Sequence, residues 1–432
     1  MPESERTIIE LPEICRVEGH SSVTVVIEDN KVRKVELEVF EGTRFFERIV
    51  VGHQYDEMPH ITSRICAICS TGHVLASLRS FESLTQFAPS RRTSLLRRLM
   101  HLGMIIESHA THICALALPD FLGANDLTDL AVKHPDEFAI WTKLRNYGSL
   151  IQTIVGGRPF HPVTLHVGGF SHVPSGEDLA RIAKQRDELA ELPPALYNLL
   201  TTFKMPVTET KRPVFMALVP DEGYGYWGES VRSTNGFESP ITQYKDYLDE
   251  RVVEYSHAKR SLFQDNPIMV GSIARLHLYG ERLSKPAKAL LEKSPLLSDK
   301  FNILWNNLAQ AIEIVDAFDQ VKAIVAELQD PALDTREEKF VIQAGLAYGA
   351  VECPRGTLYH HYQVDAQGRV LAADMITPSA QNSAQIEFDI KTVVEQKMDL
   401  AMEAMKARLE PVIRAYDPCN TCATHMVTIK RT

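Results

Sequence analysis

Nowhere does this sequence approach the ~20 consecutive apolar residues that a membrane-spanning helix needs. Its first residues, MPESERTIIELPEIC, carry acids early and have no continuous apolar core, so they do not read as a secretory leader. The cytoplasm is the expected compartment, with no direct membrane span. Positive charge is also short: 46 Lys and Arg stand against 56 Asp and Glu, for a net charge of −10. That balance argues against the basic face through which proteins hold nucleic acid. There is no repeat, low-complexity segment or long linker, which argues against solenoid and string-of-domains architectures. Cysteine is sparse. Seven in 432 residues, an odd number thinly spread, do not make a disulfide framework.

The remaining composition, 44% hydrophobic and 24% charged, belongs to an ordinary globular chain. Residues 20–40, HSSVTVVIEDNKVRKVELEVF, alternate β-branched and polar side chains around EDNK, which predicts an antiparallel hairpin. Apolar spacing turns helical over 91–117, and again over about 176–204, 240–263, 298–329 and 386–415. The expected fold is mainly α (α+β): one helical domain spanning 1–432, with a small β region near its start.

Four of the cysteines form two CxxC pairs, Cys66/Cys69 in RICAICSTGH and Cys419/Cys422 in DPCNTCATH. Each pair sets two thiols side by side, close enough to grip one metal ion. Cys419 lies 353 positions after Cys66, and Cys422 the same distance after Cys69. Zinc ribbons and fingers usually close within about 20 residues. Loop-closure entropy grows only with the logarithm of length, so a site this wide is feasible, but the whole fold must assemble it. Such an arrangement suits an interior reactive centre better than a local clip. Three other readings of the spacing stay open: a four-cysteine structural zinc, an iron–sulfur cluster and a thioredoxin-like redox pair.

The segments around the pairs resemble the large subunit of nickel–iron hydrogenases. Besides the two cysteine motifs, the resemblance rests on CRVEGH (15–20), RFFE (44–47), GGRPFHP (156–162), GGF (168–170), ECPRGTLYHHY (352–362) and TPSAQN (377–382). It therefore covers essentially the whole chain. It implies a multi-helical hydrogenase large-subunit fold and reversible heterolytic cleavage of H2 to protons and electrons. Cys66 and Cys419 would be terminal nickel ligands, and Cys69 and Cys422 would bridge nickel to an iron carrying carbon monoxide and two cyanides. Soft thiolates suit nickel, and splitting H2 needs a Lewis acid beside a base.

Arg355 is then expected over the metals as a fixed positive fork, and Glu18 as the first proton relay, near a bridging cysteine. Glu47 and His425 are expected to hold a second ion, magnesium or another divalent cation. Arg64, His73, Pro354, Asp417 and Ser108 are expected around the centre, with Ser108 where several relatives place an aspartate. Cys353 is expected beside the site without binding metal, and Cys15 and Cys114 as plain buried thiols. His109 and His112 read mainly as core histidines.

The resemblance also implies partners. The chain holds no further cysteine cluster for iron–sulfur clusters, so an iron–sulfur small subunit is expected. Diaphorase-type flavin/iron–sulfur subunits of a cytoplasmic, NAD(P)-linked complex would follow, or another acceptor such as ferredoxin. A maturation protease and nickel chaperones are implied, with 426–432 as a cleavable tail after His425. An H2-sensing protein with the same site is the alternative within the family.

Overall fold

Alternation after His20 does build the hairpin. In the computed structural model, which describes residues 6–206, 210–298, 301–333 and 340–424, strands β1 (Arg6–Leu11), β2 (Ser21–Glu28) and β3 (Lys31–Val39) form one antiparallel sheet. Glu28 pairs with Lys31 across Asp29 and Asn30, whose φ values are 51° and 58°. Asp and Asn tolerate this left-handed backbone, and a turn of that hand matches the twist of the strands.

Helices α1 (Ser70–Ser83), α2 (Arg91–Thr111) and α3 (Pro135–Gly156) supply the central layer. The side chain of Ser90 caps α2 by accepting from the Thr93 N–H, and the helix continues through one π-turn over His112–Ala117. α2 and α3 cross at glycines. A Cβ on Gly148 would stand 2.5 Å from the Gly103 carbonyl oxygen, and one on Gly103 2.9 Å from that of Gly148. The obstacle is backbone on both sides, so no side chain can swing aside. Gly148→Ala should therefore destabilise the protein by about 1–3 kcal/mol, the usual cost of overpacking. A thermal melt checks this, and an unchanged midpoint would show that the crossing has slack.

The segment 240–263 departs from expectation. Only Tyr244–Tyr247 is α-helical there, and Leu248–Val252 pairs antiparallel with Lys259–Phe263. Leu248 and Phe263 are buried at one end of that register. The spacing of Tyr244, Tyr247 and Leu248 imitates a longer helix. Helix over 176–204 is split into Gly176–Glu188 and Leu192–Thr202, the second restarting at Pro193.

Helix α4 (Ser272–Tyr279) leads to the long buried α5 (Asn306–Leu328). A second antiparallel sheet follows: β4 (Gly345–Cys353), β5 (Gly356–Val364) and β6 (Val370–Ile376). It was not foreseen. Cys353 pairs with Gly356, so Pro354 and Arg355 are the two residues of a tight hairpin turn. The chain closes through α6 (Pro378–Gln396) and α7 (Met402–Ala415), which replace the single helix expected over 386–415. The result is a mainly helical body with several small antiparallel sheets. Among the described residues no helix is long and apolar enough to cross a membrane.

Candidate metal centre

Cys66 follows a short 3-10 turn, Ser63–Ile65, and Cys69 stands at the N-cap of α1. Cys419 stands at the N-cap of the short helix Asn420–Ala423, one turn after α7. The four sulfurs of Cys66, Cys69, Cys419 and Cys422 all lie within 4.8 Å of one another and are buried. Cys66 Sγ is 3.7 Å from Cys419 Sγ, and Cys419 Sγ 2.7 Å from Cys422 Sγ. Metal–sulfur bonds of about 2.3 Å around a tetrahedral ion set ligand sulfurs about 3.8 Å apart, close to the Cys66–Cys419 separation.

Four segments far apart in sequence fasten the two motifs together. Glu18 O accepts from Asn420 N–H at 2.8 Å, pinning the RVEGH turn to the second pair. Gly19 makes that approach possible: φ is 81°, and a Cβ would meet Asn420 Cβ at 3.0 Å. Arg44 donates to the carbonyls of Ile65 and Thr421 and so spans both motifs. His161 takes its N–H to Ser70 Oγ at 3.0 Å and its Nδ1 to Ser63 O at 2.8 Å, bracketing the first pair. Ser379 Oγ accepts from Cys419 N–H at 2.9 Å.

Arg355 is 4% exposed and reaches the sulfurs directly, donating from Nη1 to Cys69 Sγ at 3.1 Å. Its Nε donates to Asp417 O at 2.6 Å, and Nη2 pairs with Asp417 Oδ1 at 2.9 Å. A buried guanidinium is tolerable only when so partnered. Hydrogen bonds from Cys419 and Cys422 and the charge of Arg355 hold Cys69 well below the ordinary thiol range. Burial opposes the Cys419 thiolate, yet hydrogen bonds from Cys422 and Cys66 bring it down to about 6.

Glu18 Oε2 accepts from Cys419 Sγ at 2.9 Å and from the Thr421 hydroxyl. Burial first, then the neighbouring Cys419, pushes its carboxyl up to about 8. Its partner is thus Cys419, which the resemblance made a terminal ligand, and not a bridging cysteine as expected. The RVEGH turn bridges to Cys419 backbone to backbone at Glu18, and that pairing selects the nearer sulfur.

His73, one turn into α1, is buried and hydrogen-bonds through Nδ1 to His360 Nε2 at 3.0 Å. Burial lowers it to about 3, so its imidazole is neutral. Pro354 lies in the hairpin turn before Arg355. Ser108 is buried, but among the described residues its hydroxyl has no partner, and the carboxylate facing Arg355 comes from Asp417 instead. Arg64 is exposed, contrary to expectation: the turn that aims Cys66 inward aims it outward. Cys353 lies buried outside the four-sulfur group, and Cys114 is buried as expected. Cys15, expected buried, is exposed. His109 and His112 are core residues with partners: His109 Nε2 lies 2.7 Å from Glu313 Oε2, and His112 Nε2 2.7 Å from Arg414 O.

Glu47 is 3% exposed on a short helix, and burial raises its pKa. Its Oε1 accepts from Met375 N–H at 2.9 Å and Lys259 Nζ at 3.4 Å, while Oε2 is buried with no partner among the described residues. An orphaned carboxylate oxygen in a dry place fits a hard cation. His425, its expected co-ligand, and the tail 426–432 lie outside the described residues.

Sequence reasoning passed over Arg44, Thr421, His161 and Ser379. Each sits in a motif already quoted, but its role depends on a partner tens to hundreds of positions away, which no local pattern displays.

The comparisons agree with this geometry. The profile of the nickel-dependent hydrogenase family matches residues 44–140 and 225–425. The chain is 34% identical over 424 residues to sulfhydrogenase 1 subunit alpha of Pyrococcus furiosus, covering 98% of each. It is 27% identical to NAD-reducing hydrogenase HoxS subunit beta of Cupriavidus necator, covering 95% of this chain and 93% of the other. The crystal structure of an NAD+-reducing [NiFe]-hydrogenase in its H2-reduced state superposes with a TM-score of 0.86 at 25% identity, covering 97% and 99% of the two chains. The chain belongs to the nickel–iron hydrogenases, as their large, catalytic subunit.

Proposed function

We propose that this chain splits and forms H2 inside a cytoplasmic multi-subunit complex and passes electrons to an iron–sulfur small subunit. From there they go to NAD(P) or ferredoxin through diaphorase-type flavin/iron–sulfur subunits. The observation that carries this reading is the four-sulfur cluster with Arg355 on one side and Glu18 on the other. The relatives named NAD-reducing hydrogenase support the acceptor class.

Cys66, Cys69, Cys419 and Cys422 would hold a Ni–Fe(CO)(CN)2 centre, and Glu47 with His425 a magnesium or similar ion. When bound, the Ni–Fe centre supplies the Lewis-acid and redox chemistry of H2 cleavage. The protein's own part is to receive the proton and keep the site dry. A proton arriving at Cys419 Sγ lies one hydrogen bond from Glu18 Oε2, whose raised pKa suits taking it up and releasing it near neutral pH. Thr421 Oγ1 steadies the same oxygen. Arg355 places fixed positive charge against Cys69, and its head would also offer donors to a cyanide ligand. Nickel chaperones and a maturation protease that removes 426–432 belong to the same proposal.

Arg355→Lys should assemble with nickel but lose about 10²–10³ of its H2/D2 exchange rate, the usual effect of losing one electrostatic donor. An ammonium cannot face Cys69 Sγ and both Asp417 oxygens together. Wild-type exchange in that variant would remove Arg355 from the reaction. For the acceptor, the purified complex should reduce NAD(P)+ or ferredoxin under H2, and the separated chain should not. NAD(P)+ reduction by the chain alone would overturn the electron route.

A further inference from the structure

Arg355 does not hold its own position. Its backbone forms half of a two-residue turn, and such a turn offers few interactions of its own. What grips the turn from behind is Arg275, on α4, 1% exposed. Its Nη1 donates to Cys353 O at 3.0 Å and its Nη2 to Pro354 O at 3.1 Å. Those are the two carbonyls immediately before Arg355. Nη1 also meets Glu352 Oε2 at 3.0 Å.

The guanidinium is itself fixed. Glu313 on α5 takes it as a fork, with Nε to Oε1 at 2.6 Å and Nη2 to Oε2 at 2.8 Å. Glu352 is held by Leu218 N–H at 2.8 Å and Thr357 Oγ1 at 2.6 Å, so both arms of the turn are anchored to the same buried group. Gly356 allows the close approach, since a Cβ there would stand 2.3 Å from Val270 Cγ2, just before α4. None of these residues touches the four sulfurs. The network ends at the turn whose tip carries Arg355, which does.

We infer that Arg275 is a positioning residue for H2 cleavage, setting the backbone turn that aims Arg355 at Cys69. The inference rests on the hydrogenase reading. Two carbonyls and two carboxylates converging on one fully buried guanidinium exceed what packing α4 against the sheet would need. A fork is required because five acceptor atoms at fixed angles, from four groups, cannot be met by a compact ammonium. A displacement of about 1 Å at a catalytic group costs on the order of 10²-fold in rate.

The test uses the loaded complex with its partner subunits. Arg275→Lys should keep its nickel and lose about 10–10²-fold of H2/D2 exchange, with shifted infrared bands of the iron's diatomic ligands. Placed on Arg355→Lys, the same substitution should cost less than about twofold more, because the group it positions is already gone. Multiplicative losses in the double variant would overturn the inference and mark Arg275 as an independent structural element. Should Arg275→Lys fail to fold, Arg275→Met with Glu313→Gln and Glu352→Gln removes the guanidinium together with both of its carboxylates. That variant should keep nickel and show the same rate loss, and wild-type exchange with unshifted bands would equally overturn the inference. The wild-type complex is the control: absent H2/D2 exchange there would fault the hydrogenase reading and not the role of Arg275.

Discussion

Cys422→Ser should leave no measurable H2/D2 exchange and well under one nickel per chain, in a protein that still folds. Cys422 is 4% exposed, and its sulfur lies 2.7 Å from that of Cys419, among apolar neighbours and other thiols. A serine hydroxyl there stays protonated and hard, so it offers nickel or iron almost nothing in place of a soft thiolate. Of the four proposed ligands it is one expected to bridge, so both metals would lose a contact. The fold should survive, because the substitution is nearly isosteric and the motif's backbone is held by Glu18, Ser379 and Arg44 rather than by sulfur. Metal analysis beside a thermal melt separates the two effects. Stoichiometric nickel in the variant would mean that Cys422 is not a ligand.

Glu18→Gln should keep both metals and lose on the order of 10²–10⁴ in turnover, the range that a positioned acid or base contributes. The glutamine amide can still hydrogen-bond with Cys419 Sγ and Thr421 Oγ1, so the turn and the cysteine motif keep their places. It cannot take a proton onto that oxygen and pass it on. Exchange of H2 with deuterons of the solvent is the sensitive readout, since it needs the proton to leave and return. Normal H2/D⁺ exchange in this variant would move the proton path elsewhere.

The sequence displayed the cysteine pairs, Glu18 and Arg355 because short motifs carry them. It displayed the first hairpin because the β-branched alternation there has period two and its turn holds Asp and Asn. It hid the sheet that bears Arg355: β4 and β5 are buried on both faces over the residues next to the turn, so no polar–apolar alternation shows there, and only Pro-Arg-Gly marks the turn. It misplaced Arg64 because position along the chain says little about which way a 3-10 turn points its side chains. The asparagine and glycine contacts behind Glu18, the Arg44 span and the Arg275 clamp are all products of tertiary folding. Their partners lie up to several hundred residues away, and polar residues in such places are read from sequence as surface.

The central claim is that the four sulfurs hold nickel and iron, not a structural zinc. Metal analysis of the purified complex, paired with infrared spectroscopy of the same sample, tests it most directly. Nickel at about one per chain, with cyanide and carbonyl stretching bands, is the expected result. Zinc alone on the four cysteines, with those bands absent, would contradict it.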